Sequence, residues 1–234
     1  MTDIYDIVKN EIFDNIDSTV TIVSIVSTGG GSTVVSLCNN KWIRVGQSLT
    51  DSDPKAWVIT SIASNGDVTL TDPTAPTALV KRQVLTIKAP NWLFGTHWSA
   101  GAEYTLRGSD NRVKLPLVWM VEQIREEEYG IKSSLERTSD IRVYFLDDNN
   151  PEQYLNADYR SNVVSPMIGL KDEFNRVIKD NILFDVIESF RTRPLTRFGN
   201  EEEKGYFENI LDDNLSGVEE IVSLPIFKVD ECKC

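Results

Sequence analysis

Apolar residues change their spacing along the chain, and the first stretch combines a helical pattern with a strand pattern. Four apolar residues recur at helical spacing near the N-terminus: Ile4, Ile7, Val8 and Ile12. This spacing predicts a short amphipathic helix. Two runs rich in β-branched residues follow, TVTIVSIVST and STVVSLC, and the three glycines of residues 29–31 separate them. The runs predict two strands joined by a hairpin turn.

The second stretch, from about residue 32 to residue 114, alternates apolar and polar positions over short runs. These runs are KWIRVGQSL, AWVITSIA, DVTLTD and QVLTIKA. Asn65 and Gly66 separate the second run from the third and predict a type I′ hairpin turn, in which both central residues have positive φ. Short strands at this regular spacing predict a small antiparallel barrel or sandwich. Tryptophan rings can fill the centre of a small barrel, and four tryptophans fall in this stretch: Trp42, Trp57, Trp92 and Trp98.

The third stretch, after Asn111, favours long strands and helices. LPLVWMVE is continuously apolar and predicts a strand buried on both faces, REEEYGIKSSLERTS predicts a polar linker, and IRVYFLDD predicts a second strand. Apolar residues at helical spacing predict a helix over residues 165–180, preceded by a shorter helix. Two further strands are predicted at ILFDVIESFRTRPL and GVEEIVSLPIFKV, the last of them introduced by a turn, LDDNLSG.

Together the elements predict an α+β fold that carries an inserted all-β domain. Residues 1–26 and 115–234 are expected to form a mixed sheet with helices, and residues 27–114 the inserted barrel or sandwich. The insertion is predicted because the opening helix lacks a complete core partner in its own stretch. A division into two sequential domains near residue 114 is the alternative.

Charge and composition argue against several classes of protein. The chain has 24 basic and 36 acidic residues, a net charge of -12, which argues against sequence-independent DNA binding because the molecule repels phosphate backbones. No run approaches the roughly 18 apolar residues of a membrane span, and the N-terminal residues lack the pattern of a signal peptide. We therefore expect a cytosolic origin. Cys38, Cys232 and Cys234 are too few for a disulfide framework, and we expect reduced thiols.

No residues have the spacing of a catalytic or metal site, so we expect neither enzyme activity nor a metal or cofactor. His97 is the only histidine, and we expect it in a loop, packed near Trp98. TGGGS lacks the lysine and the following helix of a phosphate-binding loop, which leaves a hairpin turn as its interpretation.

One acidic segment has the first half of an EF-hand pattern. Asp212, Asn214 and Ser216 match the first, third and fifth positions of a calcium loop, but the twelfth position holds Ser223 instead of Glu. We interpret the segment as a turn in which Gly217 supplies an unusual dihedral.

Two charged clusters are candidates for a contact between subunits. Arg191, Arg193 and Arg197 form a basic island within residues 115–234, which otherwise hold most of the negative charge. Alternation along a strand places Arg191 and Arg193 on the same side, where they could line a channel facing DNA or meet acidic residues of a neighbouring subunit. The acidic run available for that contact is Glu201, Glu202 and Glu203. An ordinary solvated strand face is the alternative.

Three segments of the second half carry a family resemblance: LPLVWMVE, IRVYFLDDNNPEQYLNADYRSNVVSPMIGLKDEFNRVI and DDNLSGVEEIVSLPIF. Their order and amino-acid sequences resemble those of tail-terminator and neck-ring proteins, which tailed bacteriophages place where the head joins the tail. These include ring proteins of crAss-like and related Bacteroidetes phages. The resemblance covers about 120 residues and, more loosely, the opening helix and strand. The predicted barrel is not part of the common pattern.

This resemblance implies a structural virion protein, made in the host cytoplasm, that assembles into a hexameric or dodecameric ring. As a tail terminator or head-tail connector it would join the tail to the neck, with other tail or neck proteins as partners. Contact with DNA would be passive, through the lumen, and there would be no membrane contact and no catalytic site. The alternative is a carbohydrate- or receptor-binding tail accessory protein, for which Trp92 and Trp98 are the candidate exposed aromatics.

Overall fold

A computed structural model describes most of the chain. The described residues are 3–38, 41–51, 56–71, 79–108, 114–122, 125–129, 136–148, 160–185, 190–198, 200–203, 206–209 and 215–226. They form a mixed α+β fold with a closed six-stranded antiparallel barrel and a separate six-stranded mixed sheet. The predicted fold class and the predicted barrel are confirmed.

The helices and strands have the following limits. The helices are α1 (Ile4–Ile7), continued by a π-helix (Val8–Ile12) and a 3-10 turn (Phe13–Asn15), α2 (His97–Leu106), and α3 (Ser165–Asp180), preceded by a π-helix (Arg160–Val164). The barrel strands are β1 (Thr19–Gly29), β2 (Ser32–Leu37), β3 (Ser48–Thr50), β4 (Ala56–Ile62), β5 (Val68–Thr71) and β6 (Val84–Ile87). The remaining strands are β7 (Asn91–Gly95), β8 (Leu117–Val121), β9 (Arg125–Tyr129), β10 (Glu136–Asp148), β11 (Phe190–Phe198), β12 (Asn200–Glu203), β13 (Tyr206–Asn209) and β14 (Leu215–Ile226).

The opening helical segment packs on the mixed sheet and on α3. Asp3 caps α1, because its carboxylate accepts a hydrogen bond from the backbone N–H of Tyr5 at 3.1 Å. The Phe13 ring lies 4.9 Å from the ring of Trp92 on β7. At the end of α3, Asn181 Nδ2 donates to the carbonyl oxygen of Glu11 at 3.2 Å. The predicted helix is thus confirmed.

The barrel closes in the order β1-β2-β5-β4-β3-β6. Gly30 and Gly31 have positive φ and form the predicted hairpin turn between β1 and β2. β4 and β5 also pair as predicted, but the type I′ turn is wrong, because Gly66 has positive φ and Asn65 does not. The Asn65 side chain instead accepts a hydrogen bond from the backbone N–H of Asp67 at 3.1 Å, which stabilises a different turn.

Two of the four predicted tryptophans lie in the interior around the barrel. Trp42 and Trp57 are buried, with exposed fractions of 1% and 3%. The predicted strand over KWIRVGQSL is confirmed only at its end, where β3 begins, since residues 41–47 form turns. Trp92 and Trp98 belong to β7 and α2, outside the barrel.

The mixed sheet has the order β11-β14-β10-β8-β7, and β9 pairs with the beginning of β10. β7 runs parallel to β8, with α2 between them in the sequence, and the other neighbouring strands are antiparallel. All five residues of β8 are buried, as predicted for LPLVWMVE. The prediction of a linker over REEEYGIKSSLERTS is wrong at Arg125–Tyr129, because these residues form β9 against β10.

The long helix α3 confirms the prediction for residues 165–180. A π-helix directly precedes it, and residues 151–159, where a shorter helix was expected, lie outside the described part of the chain. The strand predicted over ILFDVIESFRTRPL starts later, at Phe190, since residues 182–183 form a turn. The turn predicted at Gly217 is wrong, because Gly217 lies inside β14.

Gly217 has a packing role in place of the predicted conformational one. A Cβ at this position would overlap the backbone carbonyl oxygen of Phe145 on β10. The absence of a side chain therefore lets the two longest neighbouring strands of the sheet approach each other. Asp212 and Asn214, the other predicted turn residues, lie outside the described residues.

The barrel strands and the predicted insert have different limits. The barrel runs from Thr19 to Ile87, whereas the insert was predicted at residues 27–114. β1 starts inside the predicted segment 1–26, and β7 and α2 contribute to the mixed sheet. The described residues place the opening helical segment with the sheet and the strand that follows it in the barrel.

The barrel and the sheet pack directly against each other and share one apolar core. Gly169 of α3 lies against the loop before β3, where a Cβ would overlap the carbonyl oxygen of Lys41. The indole N–H of Trp42 in that loop donates to the carbonyl oxygen of Lys88, after β6, at 3.2 Å. Close backbone contact and a hydrogen bond thus fix this loop between the barrel and α3.

None of the described helices has the length and apolar character that crossing a membrane requires. Cys38 is an exposed free thiol, and Cys232 and Cys234 lie beyond the described residues.

Candidate functional site

The side of the mixed sheet opposite α3 carries an exposed group of arginines. Arg142 on β10 and Arg191 on β11 both pair with Ile221 of the central strand β14. One row further along, Tyr144 and Arg193 both pair with Glu219. Residues directly opposite each other share a face of the sheet, as do alternate residues of one strand. We call the surface of Arg142, Arg191, Arg193 and Glu219 the arginine face.

Glu219 lies at the centre of the arginine face. Its side chain is 6% exposed and its two oxygens form ion pairs with different arginines, at 3.3 Å from Arg142 Nε and 2.7 Å from Arg193 Nη2. The two guanidinium groups remain accessible, with exposed fractions of 41% and 70%. Two arginines therefore pair with one carboxylate and a third, Arg191, lies on the same face, so the surface is positively charged on a chain whose net charge is -12.

Aromatic rings border the arginine face where α2 covers the sheet. The His97 ring at the start of α2 lies 5.0 Å from the ring of Trp119 and 6.5 Å from that of Tyr144. The prediction that His97 occupies a loop beside Trp98 is wrong, because Thr96 caps α2 and directs the His97 ring onto the sheet. Burial raises the pKa of Tyr144, and the negative charge of Glu219 adds to the shift.

The exposed guanidinium groups give this surface the chemistry to bind an anion. Guanidinium groups present planar pairs of N–H donors that match the oxygens of a carboxylate or phosphate. Arg193 and Arg142 each contact one oxygen of Glu219, and their exposed sides can bind a second acidic group. The arrangement favours recognition of an acidic partner.

The structure places the predicted site residues on four different elements. Arg191 and Arg193 are exposed on the same side of β11, as expected, and Arg197 lies further along that strand. The acidic run belongs to a second element, the two-stranded hairpin of β12 and β13: Glu201, Glu202 and Glu203. Trp98 is 87% exposed on α2, whereas Trp92 is half-buried and packs against Phe13.

Sequence reasoning missed the residues that complete the arginine face. Arg142 and Tyr144 alternate with buried residues in IRVYFLDD, and this signal places both of them on one side of β10. Glu219 lies in a run that the sequence marks only as a strand. Its contact with Arg142 and Arg193 depends on the register of three strands, which the sequence pattern does not specify.

A second polar contact lies in the interior near the barrel. The side chain of Asp147, at the end of β10, is 2% exposed and pairs with Arg44 Nη1 at 2.8 Å. Burial raises the pKa of Asp147 to about 6, although the positive charge of Arg44 opposes this shift. Arg44 belongs to the loop before β3, so the ion pair joins that loop to the sheet. We assign this pair a structural role.

The described residues contain no group of three or more His, Cys, Asp or Glu side chains that could hold a metal ion. Comparison of the chain with protein-family models and with curated proteins found no match. The arginine face is therefore the feature from which we infer function.

Proposed function

We propose that this chain is a structural virion protein of a tailed bacteriophage, a ring-forming tail terminator or head-tail connector that joins the tail to the neck. In this role it has no catalytic activity. The resemblance of its second half to neck and tail-terminator proteins suggests the particle, and the arginine face supports the mode of assembly. The hexameric or dodecameric ring and the location in the virion follow from that resemblance.

The arginine face supports contact with another copy because its counterpart occurs in the same chain. Residues 115–234 hold 14 basic and 25 acidic residues, so acidic surfaces are abundant around it. A ring needs two different complementary patches on each subunit, because each copy binds its neighbours through unlike surfaces. A positive patch and a negative segment meet this requirement.

The hairpin of β12 and β13 is the segment we assign to the opposite side of the contact. Its register places Glu201 across from Glu208, with Glu202 and Glu203 on the same strand. Like charges at opposite positions destabilise a hairpin, and a two-stranded sheet is marginal by itself in water. Binding to the arginine face of a neighbouring subunit would compensate both effects.

The experiment is self-assembly of purified charge variants, measured by mass photometry and electron microscopy. Arg191→Glu changes an exposed residue of the arginine face, and Lys81→Glu makes the same charge change at an exposed position of the barrel as a matched control. We expect Arg191→Glu to raise the dissociation constant by at least roughly tenfold, since it places like charges at the contact. Lys81→Glu should assemble like the wild type.

A charge-swapped pair identifies the hairpin as the partner. The variant E201K/E202K/E203K alone should also lose rings. Mixing it with Arg191→Glu should restore assembly, because the introduced lysines of one variant then meet the introduced glutamate of the other. Wild-type protein that stays monomeric at every concentration and is missing from virions would contradict the proposal. Equal loss of assembly in Lys81→Glu would show a general charge effect instead.

The alternative function, a carbohydrate- or receptor-binding accessory protein, has one observation in its favour. Trp98 is almost fully exposed on α2, where an aromatic ring can stack on a sugar. Trp92, the second candidate for an exposed aromatic ring, packs against Phe13 and Tyr5. We favour assembly because the arginine face has several cooperating side chains.

A further inference from the structure

A polar cluster lies between α3 and the sheet, on the side opposite the arginine face. Glu220 of β14 is fully buried, and Asn175 of α3 is 6% exposed. Asn175 Nδ2 donates to Glu220 Oε1 at 2.9 Å, and the hydroxyl of Thr192 on β11 lies 3.4 Å from the same oxygen. One oxygen of the carboxyl group is thus well supplied with donors.

The other two oxygens of this pair lack donors. Among the described residues, Glu220 Oε2 and Asn175 Oδ1 are both buried and neither has a hydrogen-bond partner. A buried acceptor without a donor destabilises the fold, and a buried negative charge does so more strongly. One proton shared between two such acceptors on hydrogen-bonded side chains satisfies both.

We infer that Glu220 is a neutral carboxylic acid that forms a cyclic acid–amide pair with Asn175. The protonated Oε2 donates to Asn175 Oδ1, while Asn175 Nδ2 donates to Oε1, so all four polar atoms of the two groups are used. The pair holds α3 on β14 through one buried proton. It makes this docking sensitive to pH, and it does not depend on the proposed assembly.

Charges around Glu220 agree with a neutral side chain. Burial raises the pKa of Glu220, which is the largest influence, and the hydrogen bond from Asn175 and the charge of Lys171 act in the opposite direction. Lys171 is itself 2.8 Å from Asp172, whose charge raises the pKa of Glu220 further. On the sheet, the residues paired with Glu220 are Val143 of β10 and Thr192 of β11, and neither is charged.

A neutral Glu220 fixes the sign of the pH dependence of folding stability. The folded state keeps the proton of Glu220 at pH values where an unfolded glutamate has lost it. Stability from this group is therefore complete below the ordinary glutamate pKa and is lost as the pH rises through the raised value. Ionised Glu220 would leave a buried charge and an unsatisfied amide oxygen at the junction of α3 and the sheet.

The experiment compares Glu220→Gln with the wild type by chemical denaturation between about pH 5 and about pH 9. Glutamine can form the same two hydrogen bonds with Asn175, but it has no proton to lose. We expect Glu220→Gln to match the wild type at the acid end and to become more stable than it toward the alkaline end. Asp147 also has a raised pKa and adds a similar pH trend. It is present in both proteins, so its contribution cancels in the comparison.

Glu219→Gln is the matched control, since Glu219 is the neighbouring buried glutamate on the other face of β14 and pairs with arginines. This variant should lose stability and keep the wild-type pH dependence. A Glu220→Gln protein with the wild-type slope, or one strongly destabilised at acid pH, would overturn the inference.

A second measurement observes the proton of Glu220 directly in the wild type, and Glu220→Gln assigns the signal. In protein labelled with ¹³C at the glutamate carboxyl groups, one resonance should keep the chemical shift of a neutral acid at pH values where the other glutamates have ionised. This resonance should be missing from Glu220→Gln. If every glutamate carboxyl group ionises at the ordinary glutamate pKa, the acid–amide pair does not exist.

Discussion

At the scale of single residues, Asp17 shows how one carboxylate joins two parts of the fold. It follows the opening helical segment and accepts hydrogen bonds from Lys41 Nζ at 2.7 Å and from the backbone N–H of Thr19 at 2.9 Å. Burial raises the pKa of Asp17, but the hydrogen bonds from Lys41 and Thr19 outweigh it and lower the pKa to about 2. The ionised form therefore stabilises the folded state.

Asp17→Asn should lower the free energy of unfolding by about 0.5–1 kcal/mol near neutral pH, the range of a well-placed but partly exposed ion pair. Because the pKa of the folded state lies below the usual 3.8, this stabilisation is complete above about pH 4 and is lost as the pH falls through about 2. Urea denaturation at several pH values measures the difference, which should close in acid. A difference that stays constant with pH would show that the amide disturbs packing instead.

Residue identities on the arginine face were only partly predictable. Alternation along a strand is local, so the shared side of Arg191 and Arg193 could be predicted from the sequence. The position of Glu219 between Arg142 and Arg193 depends on the pairing of β10, β14 and β11, which come from distant parts of the chain. Cross-strand register of this kind is determined by tertiary packing, and the sequence pattern carries no direct signal for it.

At the scale of elements, α3 and the loop before β3 make a close contact, and its effect on stability can be tested at Gly169. Gly169 lies inside α3, where alanine is intrinsically better by about 1 kcal/mol. Its Cβ would overlap the carbonyl oxygen of Lys41, and overpacking of this kind costs about 1–3 kcal/mol. We expect Gly169→Ala to be destabilising, because backbone cannot move aside as a flexible side chain can.

Thermal and chemical denaturation measure this effect. Ile168→Ala, at the adjacent position that is 40% exposed, serves as the control and should change the stability by less than about 0.5 kcal/mol. A Gly169→Ala protein more stable than the wild type would mean that helix propensity dominates and that α3 does not lie closely against the barrel loop.

Elements were predictable where the local pattern agrees with the tertiary contacts. The β1–β2 hairpin, β8 and α3 were found because glycine turns, continuous apolar residues and helical periodicity are strong signals. β9 was missed because glutamate-rich runs have low strand propensity, and its pairing with β10 overrides that preference. No strand was predicted at β7, whose residues fell within the predicted insert, because its parallel pairing with β8 requires the crossover through α2, which a local pattern does not show.

At the scale of the whole molecule, two electrostatic effects with different ranges act on the proposed assembly. Each copy has a net charge of -12, so copies repel each other at long range. The arginine face and the acidic hairpin attract at short range, where ions enter less easily. Added salt screens the long-range repulsion first, because the Debye length falls from about 30 Å at 0.01 M to about 10 Å at 0.1 M.

Assembly should therefore depend on salt with a maximum. We expect the oligomer fraction at fixed protein concentration to rise from about 0.01 M to about 0.1 M salt, as the general repulsion is screened, and to fall toward about 1 M, where the Debye length of about 3 Å also weakens the ion pairs. Arg191→Glu should lose the maximum, because it removes attraction and leaves the repulsion. Light scattering across a salt series measures both proteins. A steady increase up to the highest salt would show that burial of apolar surface holds the subunits together, since salt strengthens that contribution, and the arginine face would then not be the interface.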